Sequence, residues 1–379
     1  MEFANMTNIT INQTWQYNFM QQDASQEVWI GRVKLLRSIC VPLIVGAGLF
    51  GNTLCFIVFV TKNMRKSSCS VFLASLAFAD NSYLICLLLT WIDGDVTTIM
   101  NADFACQVLI FMTYITSFLN AWFIVGFTFE RFLAICLPLR TGYMCSVFRE
   151  KVSVTTLCIS ACLMYSFSFW TTGLIQWGPT KRCSHKIEYF EFLSVVTWID
   201  TFLTMLIPFS VILCINSLVL RTVIKGTLAQ RRMQEKRQRR SDAAEHSLIE
   251  DKTENAKPVR MAGKQRSLTQ VRVAKTLFVV SLIFIFLNLP SHAIRLYHLI
   301  DTSTSENQSV SIEFYFFQEL TLMLYYTTFS CNFVLYTLFG RNFKNSLILL
   351  IHCKTLADDR KKKMLQKLTP SEDKRISKM

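Results

Sequence analysis

The chain has 379 residues, 51% of them hydrophobic, 13% aromatic and only 17% charged, a balance that argues against the two or three soluble domains such a length would otherwise form. The net charge of +14 would suggest nucleic acid in a soluble protein. Here it gathers on one side of a series of apolar blocks, which argues against a nucleic-acid patch.

A hydrocarbon core about 30 Å thick takes about 20 apolar residues of helix, since helices satisfy their own backbone groups in lipid. Residues 1–35 come first as a polar outer segment, with no Lys or Arg in residues 1–30. They lack the apolar core of a cleavable signal peptide, so the first span is expected to serve as the targeting signal. Asn5, Asn8 and Asn12 each precede a Thr by two residues, and Asn307 precedes Ser309; these four are candidate glycosylation sites. Seven apolar stretches follow, near 36–61, 70–92, 103–137, 152–176, 192–222, 272–299 and 313–338. They predict an all-α membrane protein, a seven-helix bundle over 36–338. Residues 339–353 form an amphipathic eighth helix and 354–379 a tail. The inner loop at about 225–270 is charged and expected to be disordered in its middle, with helical extensions at both ends.

Orientation follows from the charges. Lys62, Arg65 and Lys66, then Arg140, Arg149 and Lys151, the run from Lys225 to Arg240, and Arg360 to Lys363 share one side. Asp93, Asp95, Asp103, Asp301, Glu306 and Glu313 lie on the other. An excess of Lys and Arg marks the cytosolic side, which puts the N-terminus outside and the protein at the plasma membrane. Most of the 13 cysteines then fall in spans or in the cytosol. Cys106 opens the third span and Cys183 sits in the outer loop after the fourth, so one bridge between them would pin that loop across the bundle mouth. Cys40 is read as a buried free thiol and Cys353, beside the membrane, as a candidate for palmitoylation.

Ionisable groups within a membrane are costly and read as functional, which singles out Asp80 in the second span. Asn52, Asn120 and Asn332 lie at depths that could surround it. Such a cluster could hold a hydrated cation such as Na+, or it could be a hydrogen-bonded knot that fixes helix packing. No other cofactor and no metal site is indicated. At the inner end of the third span, 25 residues after Cys106, stand Glu130, Arg131 and Phe132 in ERFLAICLPLR, which includes Pro138.

That placement resembles the acidic-Arg-aromatic motif of rhodopsin-like G-protein-coupled receptors, and the resemblance extends over roughly residues 36–353. Gly51-Asn52 in GNTL, Asp80, Cys106 with Cys183, Pro208, Pro290 and Asn332 to Tyr336 in NFVLY are similar to that family's span signatures and bridge. Gly340, Phe343 and Lys344 fit its short membrane-surface helix. The resemblance implies a receptor, not an enzyme, that signals to a heterotrimeric G protein and binds no nucleic acid, with arrestin as a further partner. Glu130, Arg131, Phe132, Pro138, Asn332 and Tyr336 would form the coupling switch. Several positions depart from the pattern: Phe333 for Pro, Asn288 for Trp, Asn216 for Tyr and Cys158 for Trp. No acidic residue lies near Gln270, so a lock between Arg131 and the sixth span is not expected.

Ligand class is narrowed by exclusion. Amine receptors carry Asp 18 residues before the motif Arg, where this chain has Thr113, and opsins need a Lys where it has Tyr326. The outer cavity is assigned Thr113, Tyr114, Ser117, Asp200, His292, Arg295, His298, Gln318, Glu319 and Tyr326. An Arg beside acids and aromatics suits a peptide with a charged or amidated end. SCSVFLASLAFAD and SCNFVLYTLFGRNF are similar to invertebrate neuropeptide receptors of the FMRFamide and thyrotropin-releasing-hormone-like kind. A lipid- or odorant-sensing receptor is the same-fold alternative. A transporter or channel is the different-class one, though neither repeated halves nor Gly-rich broken helices are apparent among only 12 Gly.

Overall fold

A computed structural model describes residues 24–62, 64–97, 99–137, 145–177, 180–247, 278–297, 300, 312–340 and 343–352. The inter-helix segment carrying Pro138, the sequon residues Asn5, Asn8, Asn12 and Asn307, and also Gln270, His298 and Cys353 lie outside the described residues.

Six helices are long and apolar enough to cross a membrane. The first span is the helix Ala24–Val60, which begins 12 residues ahead of the apolar stretch and carries Trp29 with Arg32 over its ring. The second is Cys69–Trp91, the third Asp103–Cys136 and the fourth Val147–Met164, extended through a short helical segment to Thr171. The fifth runs from Phe190–Thr201 through a π-helical turn, Phe202–Leu206, into Ile207–Ser247. The sixth occupies 278–297. The π turn just before Pro208 has a local cause, because proline has no N–H to return to the preceding turn.

The seventh span is broken. Ile312–Thr328 and Asn332–Phe339 are separate helices with a turn at residues 329–331. Phe333 stands where the family pattern has proline, so the break does not depend on that residue. Asn52 supplies part of the reason: its side-chain amide donates to the Phe329 carbonyl at 2.7 Å and satisfies a backbone group the turn frees. Two glycines of the first span let the chains approach that closely. A Cβ on Gly48 would meet Ser330 Cβ at 2.8 Å, and one on Gly51 would meet Phe333 Cβ at 2.8 Å. The break is therefore built from packing rather than from a Gly-rich sequence.

The fourth span corrects the sequence reading. Residues 172–176, assigned to it, are extended: β1 (Thr172–Trp177) pairs antiparallel with β2 (Thr180–His185), with Leu174 opposite Cys183. A short apolar run such as TGLIQ does not distinguish strand from buried helix. The bundle is thus all-α apart from this hairpin among the described residues. At the other side, the fifth helix continues to Ser247, which is the helical extension expected at the start of the inner loop. A helix at 343–352 follows the seventh span, and Phe343 packs under the bundle against Phe59 and Tyr336.

The third helix is the axis of the packing. In the most apolar part of that helix 72% of residues are buried inside the bundle, against 22% for the fourth. The large remaining apolar surface, including Phe50, Phe78, Leu163 and Phe286, suits contact with lipid rather than water.

Candidate functional site

Three polar layers run down the interior. At mid-depth, Asp80 is fully buried and accepts from Asn120 at 2.6 Å and from Asn332 at 2.6 Å, which ties the second, third and seventh spans together. Asn52, expected beside them, instead reaches the Phe329 carbonyl. Its Oδ1 is buried with no partner among the described residues. Asn288 donates to the Phe284 carbonyl at 2.6 Å and to Thr328 Oγ1 at 3.1 Å, so the residue that replaces the family's Trp links the sixth span to the seventh.

At the inner end, Glu130 and Arg131 turn to the start of the second helix. The Ser68 hydroxyl donates to Glu130 Oε1 and the Arg131 guanidinium donates to Cys69 Sγ. Arg131 also lies over the Phe127 ring at 5.5 Å. It has no ion pair among the described residues. Phe132 packs with Ile135, Ile215 and Val219 toward the fifth span. Tyr336 meets Phe59 edge-on at 5.5 Å. Just before the fourth helix, the Cys145 thiol is pushed up by burial and by the carboxylates of Glu130 and Glu150.

At the outer end the hairpin covers the third helix. Cys106 and Cys183 form the disulfide, and the Leu174 N–H donates to Asp103 Oδ1 at 2.8 Å. Beneath it, Arg295 and Asp200 pair at 2.5 Å, both buried, and Tyr165 donates to the other Asp200 oxygen at 2.6 Å. Tyr165 stacks on Tyr114 with ring centroids 5.1 Å apart. Tyr114 Oη lies 3.5 Å from His185 Nε2 in β2. A second strand of contacts joins Ser117 to Tyr325 at 2.6 Å and Tyr325 to His292 at 5.9 Å between centroids. Five expected pocket residues, Tyr114, Ser117, Asp200, His292 and Arg295, thus lie along one belt across the bundle.

Of the other five, His298 lies outside the described residues and four are placed elsewhere. Thr113 donates to the Leu109 carbonyl of its own helix, and Gln318 is buried on the seventh span. Glu319 lies 4.0 Å from Arg37, which pairs with Asp95 at 3.1 Å. Tyr326 packs against Tyr83 beside Val41. Arg37, Trp91, Glu319 and Tyr326 line a small cavity of about 20 Å³ facing the first and second spans. A larger cavity of about 300 Å³ opens between the fourth and fifth helices, lined by Tyr165, Phe167, Trp170, Phe192, Val196 and Asp200.

The sequence pattern described as 7 transmembrane receptor (rhodopsin family) matches residues 51–336. The chain belongs to that family. The receptor is 23% identical over 344 residues to the thyrotropin-releasing hormone receptor of Gallus gallus, covering 87% of this chain and 82% of that one. It is 28% identical over 214 residues to an FMRFamide peptide receptor of Caenorhabditis elegans, covering 50% and 47% of the two chains. Neurotensin receptor type 1 of Mus musculus is 22% identical over 259 residues, covering 66% and 59%.

Sequence reasoning missed Tyr165, Tyr325, Arg37 and His185 in this receptor. Arg37 carried a usable signal, since it is a charge inside the first apolar stretch. Tyr165 offered a weaker one, because a buried Tyr in an apolar helix needs a partner for its hydroxyl. Nothing in the local sequence marks His185 as buried. Burial at the end of β2 pushes its imidazole down to about 4. The unfolded imidazole takes a proton at about pH 6.5, so the stability present above that pH is lost as pH falls toward 4. The purified receptor is expected to lose roughly 2 kcal/mol between pH 7.5 and pH 5 from this group, and His185→Gln should flatten that part of the profile. Thermal unfolding of both proteins at the two pH values measures it; identical profiles would remove His185 as the cause.

Proposed function

We propose that this receptor is activated by a neuropeptide arriving from outside the cell and passes the signal to a heterotrimeric G protein in the cytosol. The observation that carries the reading is the outer belt: a buried Arg295–Asp200 pair with Tyr165 and Tyr114, under a hairpin fastened by a disulfide. Such a site offers directional charge and aromatic contact to a peptide end. Relatives named as receptors for thyrotropin-releasing hormone and FMRFamide peptide support it.

The one-sided charge supports a plasma-membrane receptor with its N-terminus outside, glycosylated at Asn5, Asn8, Asn12 and Asn307, and palmitoylated at Cys353. Agonist binding shifts the bundle toward a state in which the fifth and sixth spans open and Arg131 leaves Cys69 for the G protein, with Pro138 a further member of the coupling switch. The ligand drives this only by its differential affinity for the two states. Arrestin takes the same inner face.

Expression in cells with a second-messenger readout, challenged with a broad neuropeptide panel, tests the proposal; silence toward every peptide would refute it. Arg131→Ala should reach the surface yet lose roughly tenfold or more in agonist-driven nucleotide exchange, the scale of a coupling free energy of about 1–3 kcal/mol. Unchanged exchange would remove Arg131 from the switch. The apolar cavity between the fourth and fifth helices favours one second reading, a sensor of lipid or odorant. Response to a lipid panel and to no peptide would select it.

A further inference from the structure

A cluster at the inner end of the bundle is used by neither the outer belt nor the Asp80 knot. Cys145 stands just ahead of the fourth helix, Glu150 lies in that helix's first turn, and Glu130 comes from the third helix. One donor atom of each, the thiol sulfur and a carboxylate oxygen from each Glu, lies within 4.8 Å of the other two. Glu130 is only 6% exposed; Ser68 occupies its Oε1, while its Oε2 is buried and accepts no bond among the described residues. Glu150 is 8% exposed. Neither carboxylate has an ion-pair partner among the described residues; Arg131, nearby, donates to Cys69 and lies over Phe127.

Two nearly buried carboxylates that face a thiol repel one another, and a bound cation removes that repulsion. We propose that Glu130, Cys145 and Glu150 form a binding site for a divalent ion of the zinc type, with a water completing four ligands. The donor set decides the class: a thiolate with carboxylates suits Zn2+, whereas Mg2+ and Ca2+ take oxygen alone. Around a tetrahedral zinc, ligand atoms stand roughly 3.5 Å apart, so the cluster closes by at most about 1 Å on binding. Cys145 precedes the helix and is only half-buried, which gives it room to move. Binding forms the S–Zn bond and releases the thiol proton to water. Three ligand charges against the ion's two leave one negative charge beside the Arg131 guanidinium. The Ser68 hydroxyl orients Glu130 from behind. The ion ties the start of the fourth helix to the third, one residue from Arg131. That effect on coupling rests on the receptor reading; the binding does not.

The test uses the full-length chain in membranes with the inner face accessible, reduced with a phosphine that is removed before labelling. N-ethylmaleimide modification is followed at each cysteine by peptide mass spectrometry, with and without zinc chloride. Zinc is expected to slow modification of Cys145 by about tenfold or more, reversed by a chelator, while Cys136 at the same end keeps its rate. Glu150→Gln should lose that protection, and Glu150→His, which restores a metal-binding atom, should keep it. A Cys145 rate that zinc leaves unchanged in the wild-type chain overturns the site, as does protection that survives in Glu150→Gln. The readout needs neither agonist nor G protein, so a negative result here is separate from failure of the peptide-receptor reading.

Discussion

Arg295→Met is expected to destabilise the receptor by about 3–5 kcal/mol, because it strands the buried Asp200 carboxylate with Tyr165 as its remaining side-chain partner. The penalty lies in the uncompensated charge rather than in the lost contact. The double variant Asp200→Asn/Arg295→Met should therefore recover most of the loss, since no unpaired charge remains. Thermal unfolding of the solubilised receptor measures both, and a double variant no better than Arg295→Met would show that the charge pair is not what matters. The pair also joins the fifth span to the sixth, the two helices proposed to open during activation. A ligand carrying its own carboxylate or guanidinium can exchange with one member, so agonist potency should fall even in the rescued double variant.

Asp80→Ala is expected to cost about 1–3 kcal/mol for each of the two buried amides it orphans, those of Asn120 and Asn332. Asp80→Asn keeps one acceptor oxygen and should cost distinctly less. Equal losses would mean that hydrogen bonding to the asparagines is not the source of the effect. The same carboxylate, with Asn120 and Asn332, is the donor set on which a sodium ion would sit. Agonist affinity should then differ between sodium and potassium buffers in the wild-type receptor and not in Asp80→Asn. A difference that persists in the variant would place the ion elsewhere.

Much of the architecture was legible before any coordinates. Apolar runs of span length located the helices to within a few residues at most ends, and the ordered signatures from Gly51 to Tyr336 pointed to the family that the pattern match at residues 51–336 shows. The runs failed where two structures share a composition. Residues 172–176 read as the end of a helix and are half of a hairpin. The helical extension expected at the start of the charged inner segment is present and runs to Ser247, a length the apolar pattern does not set.

The sequence by itself determined that the chain crosses a membrane, that its positive charge gathers on one side of the apolar spans, and that polar residues such as Asp80 and Asp200 lie in apolar surroundings. Those properties are set by solvation, and solvation cost is a property of each residue and its neighbours along the chain. Only the tertiary structure decided the partners. Asp200 was recognisable as a charge needing compensation, yet nothing local says that Arg295, 95 positions away, supplies it. Asn52 was placed beside Asp80 by depth alone and instead holds a carbonyl of the broken seventh span. Tyr326 and Glu319, expected in the outer cavity, face the first two helices. In each case the deciding quantity is the rotation of one helix about its axis relative to its neighbours. Between lipid and an apolar core, hydrophobic periodicity scarcely encodes that rotation, and close packing such as Gly48 against Ser330 sets it instead.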